Sequence, residues 1–219
     1  MQQGTLKGAL LLSGHKKMRK KYKIIVFDLG NTLIRFDHAI SAKKIAGICR
    51  CTMKKIYDTF FDSPLTRDFE RGIITPKEFY RGVEGLLGAR ISFDDFAEVW
   101  KDIFWEDEPA CRLARELKKS YRLFLLSNIN RLHYEHIRSK FDIIKIFDEI
   151  ILSYVIGAMK PDRRIFEEVI KRAGGDRKGL VYIDDRDDLI KAAKRLGIDS
   201  IKFDGARKLR ATLKAKNII

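Results

Sequence analysis

Lys23-Ile24-Ile25-Val26-Phe27-Asp28-Leu29-Gly30-Asn31-Thr32-Leu33 is the stretch on which the fold turns. An apolar, β-branched run without alternation reads as a short strand buried on both faces. It ends in an aspartate and then a turn-rich polar segment. In open α/β sheets, ligand sites lie at the carboxyl ends of the strands, so Asp28 stands where chemistry is expected.

Downstream, strand and helix patterns alternate. Strands are expected at Arg122–Leu126, Glu149–Leu152, Gly179–Ile183 and Ser200–Phe203, and helices at Leu132–Lys140, Pro161–Ala173 and Leu189–Leu196. This order implies an α/β fold, a Rossmann-like parallel sheet with right-handed crossovers and helices on both faces. Between the first strand and Arg112–Lys119 the pattern is helical. Ile40, Ile45, Ile48, Ile56 and Phe60 carry a helical spacing. Thr75-Pro76-Lys77-Glu78 is a capping box with Phe79, Val83, Leu86 and Leu87 as its apolar face. Ser92 opens another helix, with Phe96, Val99, Trp100 and Ile103 on one side. The aromatic residues here, among them Phe60, Phe61, Phe69 and Trp105, are expected to form this region's own core, with one or two facing a substrate.

The expected organisation is a basic, disordered leader at 1–20, an α/β core at 21–37 and 109–219, and a strand-free helical cap at 38–108. The formal charge is +15 over 219 residues. Part of the excess is local: Lys7, Lys16, Lys17, Arg19, Lys20, Lys21 and Lys23 meet no acid before Asp28. We read this charge as solvated surface and expect no nucleic-acid partner. No apolar run approaches a membrane span. Cys49, Cys51 and Cys111 are too few for a disulfide framework, and Cys49 and Cys51, two apart in a helical pattern, point away from each other. A cytoplasmic monomer or homodimer is expected.

Four polar clusters follow strands or open helices: Asp28 to Thr32, Ser127-Asn128, Lys160-Pro161 and Asp184-Asp185. Singly, each has a plain explanation. A strand-terminal aspartate can cap a helix, and Asp184 to Asp188 can be a solvated turn. Together, in this order, they make a coherent chemistry. A carboxylate nucleophile can attack phosphorus, hydroxyls from Thr32 and Ser127 and the charge of Lys160 can hold phosphoryl oxygens, and carboxylates suit magnesium. Asp28 and Asp185 would be side-chain ligands, and the Gly30 carbonyl a third.

The first cluster resembles motif one, Asp-x-Asp-x-Thr, of the haloacid dehalogenase-like superfamily, with Gly30 at its second aspartate. Leu126 to His133, Gly157 to Phe166, and Ile183 to Ile198 resemble the later motifs of the small α-glucose-1-phosphate phosphatases. Glu70 to Thr75 resembles the helical cap of that branch and of the phosphatase half of soluble epoxide hydrolase. The likeness covers about residues 22–203. It implies a magnesium-dependent phosphatase acting on a small phosphorylated metabolite, a sugar 1-phosphate-like phosphomonoester, through an aspartyl-phosphate. Asp28 would be the nucleophile. Thr32, Ser127, Asn128 and Lys160 would hold the phosphoryl group. Asp185 would bind magnesium, with Asp184 as ligand or supporting residue. Leu189 replaces a frequent Asp or Asn, for which Asp188 could compensate through a water. His133 and His136 read as surface or cap contacts rather than proton shuttles, and Glu70 as a cap residue facing the core. The alternatives are a haloacid dehalogenase, against which the paired aspartates argue, or a lapsed binding protein whose basic surface holds a polyanion.

Overall fold

The computed structural model describes residues 21–60, 63–88 and 91–219. The leader and Phe61 lie outside them. The chain forms β1 (Ile24–Phe27), β2 (Ile34–Phe36), α1 (His38–Cys49), α2 (Met53–Phe60), α3 (Pro64–Glu70), α4 (Pro76–Leu87), α5 (Phe93–Lys101) and β3 (Phe104–Glu106). It continues through α6 (Glu108–Lys118), β4 (Arg122–Ser127), α7 (Arg131–Lys140), β5 (Glu149–Leu152), α8 (Ser153–Ile156) and α9 (Arg163–Arg172). The last elements are β6 (Leu180–Asp184), α10 (Asp187–Arg195), β7 (Asp199–Lys202) and α11 (Ala206–Ala215).

The fold is α/β, as expected. Five strands form a parallel sheet in the order β5-β4-β1-β6-β7. The chain builds outward from β1 to β4 and β5, then returns to the other side of β1, so the strand order reverses there. Alternation along each strand sorts its side chains onto two faces. Ile25, Phe27, Leu123, Leu125, Val181 and Ile183 pack with α6, α7 and α11. Ile24, Val26, Phe124, Leu126, Leu180 and Tyr182 pack with α9 and α10. Both faces of β1 are therefore covered, which is why its sequence shows no alternation.

The helices between β2 and β3 share a separate cluster that includes Ala42, Ile56, Phe60, Phe79, Phe96 and Trp100. The Thr75 capping box forms with both of its bonds. Leu86, expected inside, is 53% exposed; Phe79, Val83 and Leu87 already fill the inward arc of the helix. The expectation of a region without strands is corrected. Phe104–Glu106 is a strand, antiparallel to β2, with Phe36 opposite Phe104 and Ile34 opposite Glu106. Three residues are too short to show a period, and they pair only because the outgoing and returning chains run side by side. Asp37 N–H to Ile103 O and Asp107 N–H to Leu33 O extend this ribbon at its two ends, and the Arg35–Asp107 ion pair at 2.8 Å braces it. The helix expected from Ile40 to Phe60 is broken at Arg50, which takes a left-handed φ of 51°. Cys51 therefore lies past the end of α1 rather than on it, and all three cysteines are free.

Candidate active site

Register builds the site. Phe27 sits beside Leu125 and Ile183, so the next row holds Asp28, Leu126 and Asp184. The Asp28 N–H donates to Ile183 O at 2.8 Å, fixing it to β6. Alternation sends the Asp28, Tyr182 and Asp184 side chains to the α9–α10 face. From that face the loop before α9 delivers Lys160. Its ammonium lies 2.6 Å from Asp28 Oδ1, 2.7 Å from Asp184 Oδ2, 3.1 Å from Tyr182 Oη and 3.2 Å from Leu126 O. Asn128 fastens this loop reciprocally. Its Oδ1 accepts from Lys160 N–H at 2.7 Å, and its Nδ2 donates to Lys160 O at 2.9 Å.

Asp28, Asp184 and Asp185 offer carboxylate oxygens within 4.8 Å of one another. Three hard oxygen donors so close repel unless a cation intervenes, which is the donor set a magnesium ion prefers. Lys160 is one such cation. Burial pushes the Asp28 carboxyl up to about 7; Lys160 pulls against that rise and Asp184 adds to it. Burial works to lower Lys160, but Asp28 and Asp184 outweigh it and hold the ammonium above its ordinary value. Asp185, half-buried, is raised by burial and by Asp184. Three carboxyl groups are gathered here around one ammonium, so the site favours a further positive charge.

Asp28, Lys160, Asp184 and Asp185 line a cavity of about 370 Å³ beneath the inserted helices. Gly30 and Asn128 also line it. Ser127 lies on an adjoining cavity of about 70 Å³ that shares Gly30, Phe36 and Asn128. Among the described residues its hydroxyl reaches only Asn128 O, at 3.5 Å, the outer limit of a hydrogen bond. Thr32 is fully enclosed and lies outside both walls, and its hydroxyl has no partner among the described residues. Asp188 is not among the grouped carboxylates. It pairs with Arg186 at 2.7 Å and is about half exposed. Leu189 itself is buried against the α9–α10 face and borders the cavity.

The insert roofs the cavity with Phe60, Thr66, Arg67, Glu70 and Trp100, while Phe36 and His38 form a side wall. Thr66, Arg67 and His38 were not anticipated, because nothing in a helical spacing says which polar residue meets a cavity. His133 joins insert to core. The Asn130 side-chain oxygen accepts the His133 N–H at 3.0 Å, which fixes the amide so that its nitrogen faces His133 Nδ1 at 3.0 Å. Nδ1 must then accept, and Nε2 carries the proton that is donated to Trp100 O at 3.1 Å. The ring stacks on Trp100, with centroids 5.1 Å apart. Burial drives its pKa down to about 3, with His38 adding to the fall. A second tie is Ser153 Oγ, 2.6 Å from Glu70 O and 2.9 Å from the Ile129 N–H that it accepts. Gly72, at φ 71°, completes the junction: a Cβ there would fall 2.1 Å from Tyr154 O.

Tyr182 was also missed. Its hydroxyl meets Asp184 as well as Lys160. The signal was a single aromatic with a polar tip two residues before Asp184 in an otherwise aliphatic strand.

The sequence matches the family of haloacid dehalogenase-like hydrolases over residues 22–197. D-ribitol-5-phosphate phosphatase of Bacteroides thetaiotaomicron is 24% identical over 198 residues, 87% of this chain and 96% of that protein. Sesquiterpene phosphatase astK of Aspergillus oryzae is 24% identical over 181 residues, 81% of this chain and 87% of that one. Among solved structures, a haloacid dehalogenase-family enzyme variant from Bacteroides thetaiotaomicron, in complex with magnesium and inorganic phosphate, superposes with a TM-score of 0.76 at 27% identity. That match covers 83% of this chain and 93% of the other.

Proposed function

This chain belongs to the haloacid dehalogenase-like hydrolase family, and we propose that it is a magnesium-dependent phosphatase of small phosphomonoesters. The observation that carries this is the grouping of Asp28, Lys160, Asp184 and Asp185 at one sheet edge under a roofed cavity. A dehalogenase needs no cation, whereas this acid cluster favours one.

Asp28 and Asp185 would hold the metal, with the Gly30 carbonyl beside them. The bound ion would supply positive charge opposite the transferring phosphoryl group. In the first step an Asp28 oxygen attacks phosphorus, the P–O ester bond breaks, and the leaving oxygen departs with the electron pair. In the second, water attacks the aspartyl-phosphate, the P–O bond to Asp28 breaks, inorganic phosphate leaves and the Asp28 carboxylate is restored; the proton that water gives up balances the one the departed oxygen takes from solvent. Lys160 stabilises the phosphoryl oxygens in both steps. The inserted helices act as a cap that keeps bulk water from the cavity.

The leaving group is the discriminating feature. In most phosphatases of this superfamily the position of Gly30 carries an aspartate that protonates the departing oxygen, and Gly30 has no side chain with which to do so. Leaving groups that need little protonation are favoured, so aryl and sugar 1-phosphates should exceed alkyl phosphates. The named relative acts on ribitol 5-phosphate, an alkyl ester, so both classes belong in the test. Hydrolysis of p-nitrophenyl phosphate with magnesium, and its loss on chelation, tests the reaction. A panel of sugar 1-phosphates, sugar 5- and 6-phosphates and polyol phosphates tests the substrate class. Absence of turnover on every ester would overturn the proposal.

A further inference from the structure

We propose that the Tyr182 hydroxyl is a positioning group that holds Asp184 on Lys160 and off the metal. The inference rests on the phosphatase reading for its kinetic consequence and on contacts alone for its geometry.

Tyr182 and Asp184 are two apart on β6 and so share a face. The ring is 1% exposed and packs edge-on against Phe166 at 5.7 Å, which fixes the direction of the hydroxyl. Burial and the neighbouring carboxylates keep the phenol protonated. It donates to Asp184 Oδ2 and accepts from Lys160 Nζ at 3.1 Å. Asp184 Oδ1 accepts the Arg186 N–H at 2.9 Å. Both oxygens of Asp184 are thus engaged by protein donors, although it lies inside the acid cluster. The carboxylates left to turn toward a metal are Asp28 and Asp185.

Lys160 has three N–H bonds and four oxygens around it: Asp28, Asp184, Tyr182 and Leu126. When Asp28 turns toward phosphorus, the other three remain. Tyr182 is the one that ties the ammonium and its counter-ion to each other, since it accepts from the first and donates to the second. Without the hydroxyl, Lys160 follows Asp28, and Asp184 regains a lone pair for the metal. Groups that orient a site in this way are typically worth about 10- to 100-fold in activity.

The test is Tyr182→Phe in the full chain, which keeps the ring and its packing. Three quantities are read: turnover of p-nitrophenyl phosphate with magnesium, inhibition by inorganic phosphate, and Mn2+ affinity by electron paramagnetic resonance without substrate. We expect kcat to fall about 10- to 100-fold and phosphate to inhibit less tightly, with Mn2+ affinity equal to or tighter than that of the wild type. Asp184→Asn should likewise keep its Mn2+ affinity, whereas Asp185→Asn should lose it, so the assignment stands or falls even if Tyr182→Phe is poorly folded. Unchanged kcat and phosphate inhibition in Tyr182→Phe, or loss of Mn2+ from Asp184→Asn as severe as from Asp185→Asn, overturns the proposal. An inactive wild type would count against the phosphatase reading instead, while the Mn2+ comparison would still decide where Asp184 belongs.

Discussion

A Cβ built on Gly30 would stand 3.0 Å from Cε1 of Phe36. The Phe36 ring is backed by His38 and Phe104, with centroids 4.8 and 6.2 Å away. The space that an acidic side chain at this position would need is therefore occupied by an aromatic edge. Gly30→Asp alone is expected to strain this contact and leave alkyl phosphates poor substrates. Gly30→Asp with Phe36→Leu should raise kcat/KM for alkyl esters by at least about tenfold, toward the lower range of acid–base help. The check is kcat/KM against leaving-group pKa, steep in wild type and flatter in the double variant.

Asp28→Asn should abolish turnover by more than about 1,000-fold, because an amide oxygen cannot form the acyl phosphate. The fold should persist, since Asp28 is tied to β6 through its backbone. Activity near wild type in a folded variant would remove the covalent step.

Asp185→Asn should raise the magnesium concentration needed for half-maximal activity by about tenfold or more, while Asp188→Asn should change it little. Asp188 is paired with Arg186 and stands outside the group of Asp28, Asp184 and Asp185. Magnesium titrations of the two variants decide between them, and equal shifts would relocate the site.

His133 links stability to acid. Its folded pKa is lowered to about 3 from an ordinary 6.5. A depressed histidine binds protons more readily in the unfolded chain, so its contribution is complete above pH 6.5 and is lost as pH falls from there toward 3. The loss is on the order of a few kcal/mol by the lower limit. His133→Gln, which can still donate to Trp100 O, should flatten stability against pH across that window. Denaturant midpoints of wild type and variant at matched pH values measure it, and parallel curves would refute the assignment.

Much of this was legible because it is written in unbroken runs. The buried strand ending at Asp28, and those before Ser127 and Asp184, announce themselves by length and composition. Their order carries the topology and brings Asp28, Lys160, Asp184 and Asp185 to one edge. What escaped depends on distance in the chain. β3 exists only through its pairing with β2. α3 is seven residues long, and its start, Ser63 before Pro64, is a readable cap. The spacing of Leu209 and Leu213 on α11 was equally readable. The cavity wall was not legible: His38 and Arg67 matter through neighbours that lie far along the chain.

The ribbon of β2 and β3 has an architectural consequence. Because Phe36 faces Phe104 in antiparallel register, the chain crosses out of the sheet domain and back at a single place, zipped to itself. A short turn joining those two residues would close the ribbon into a hairpin and disturb none of the five parallel strands. We therefore expect the roof to be an exchangeable module: grafting a foreign helical segment between Phe36 and Phe104 should yield a folded protein with the same catalytic floor and a different choice of ester. In such a chimera, the residues that break the ester and those that choose it would be inherited separately.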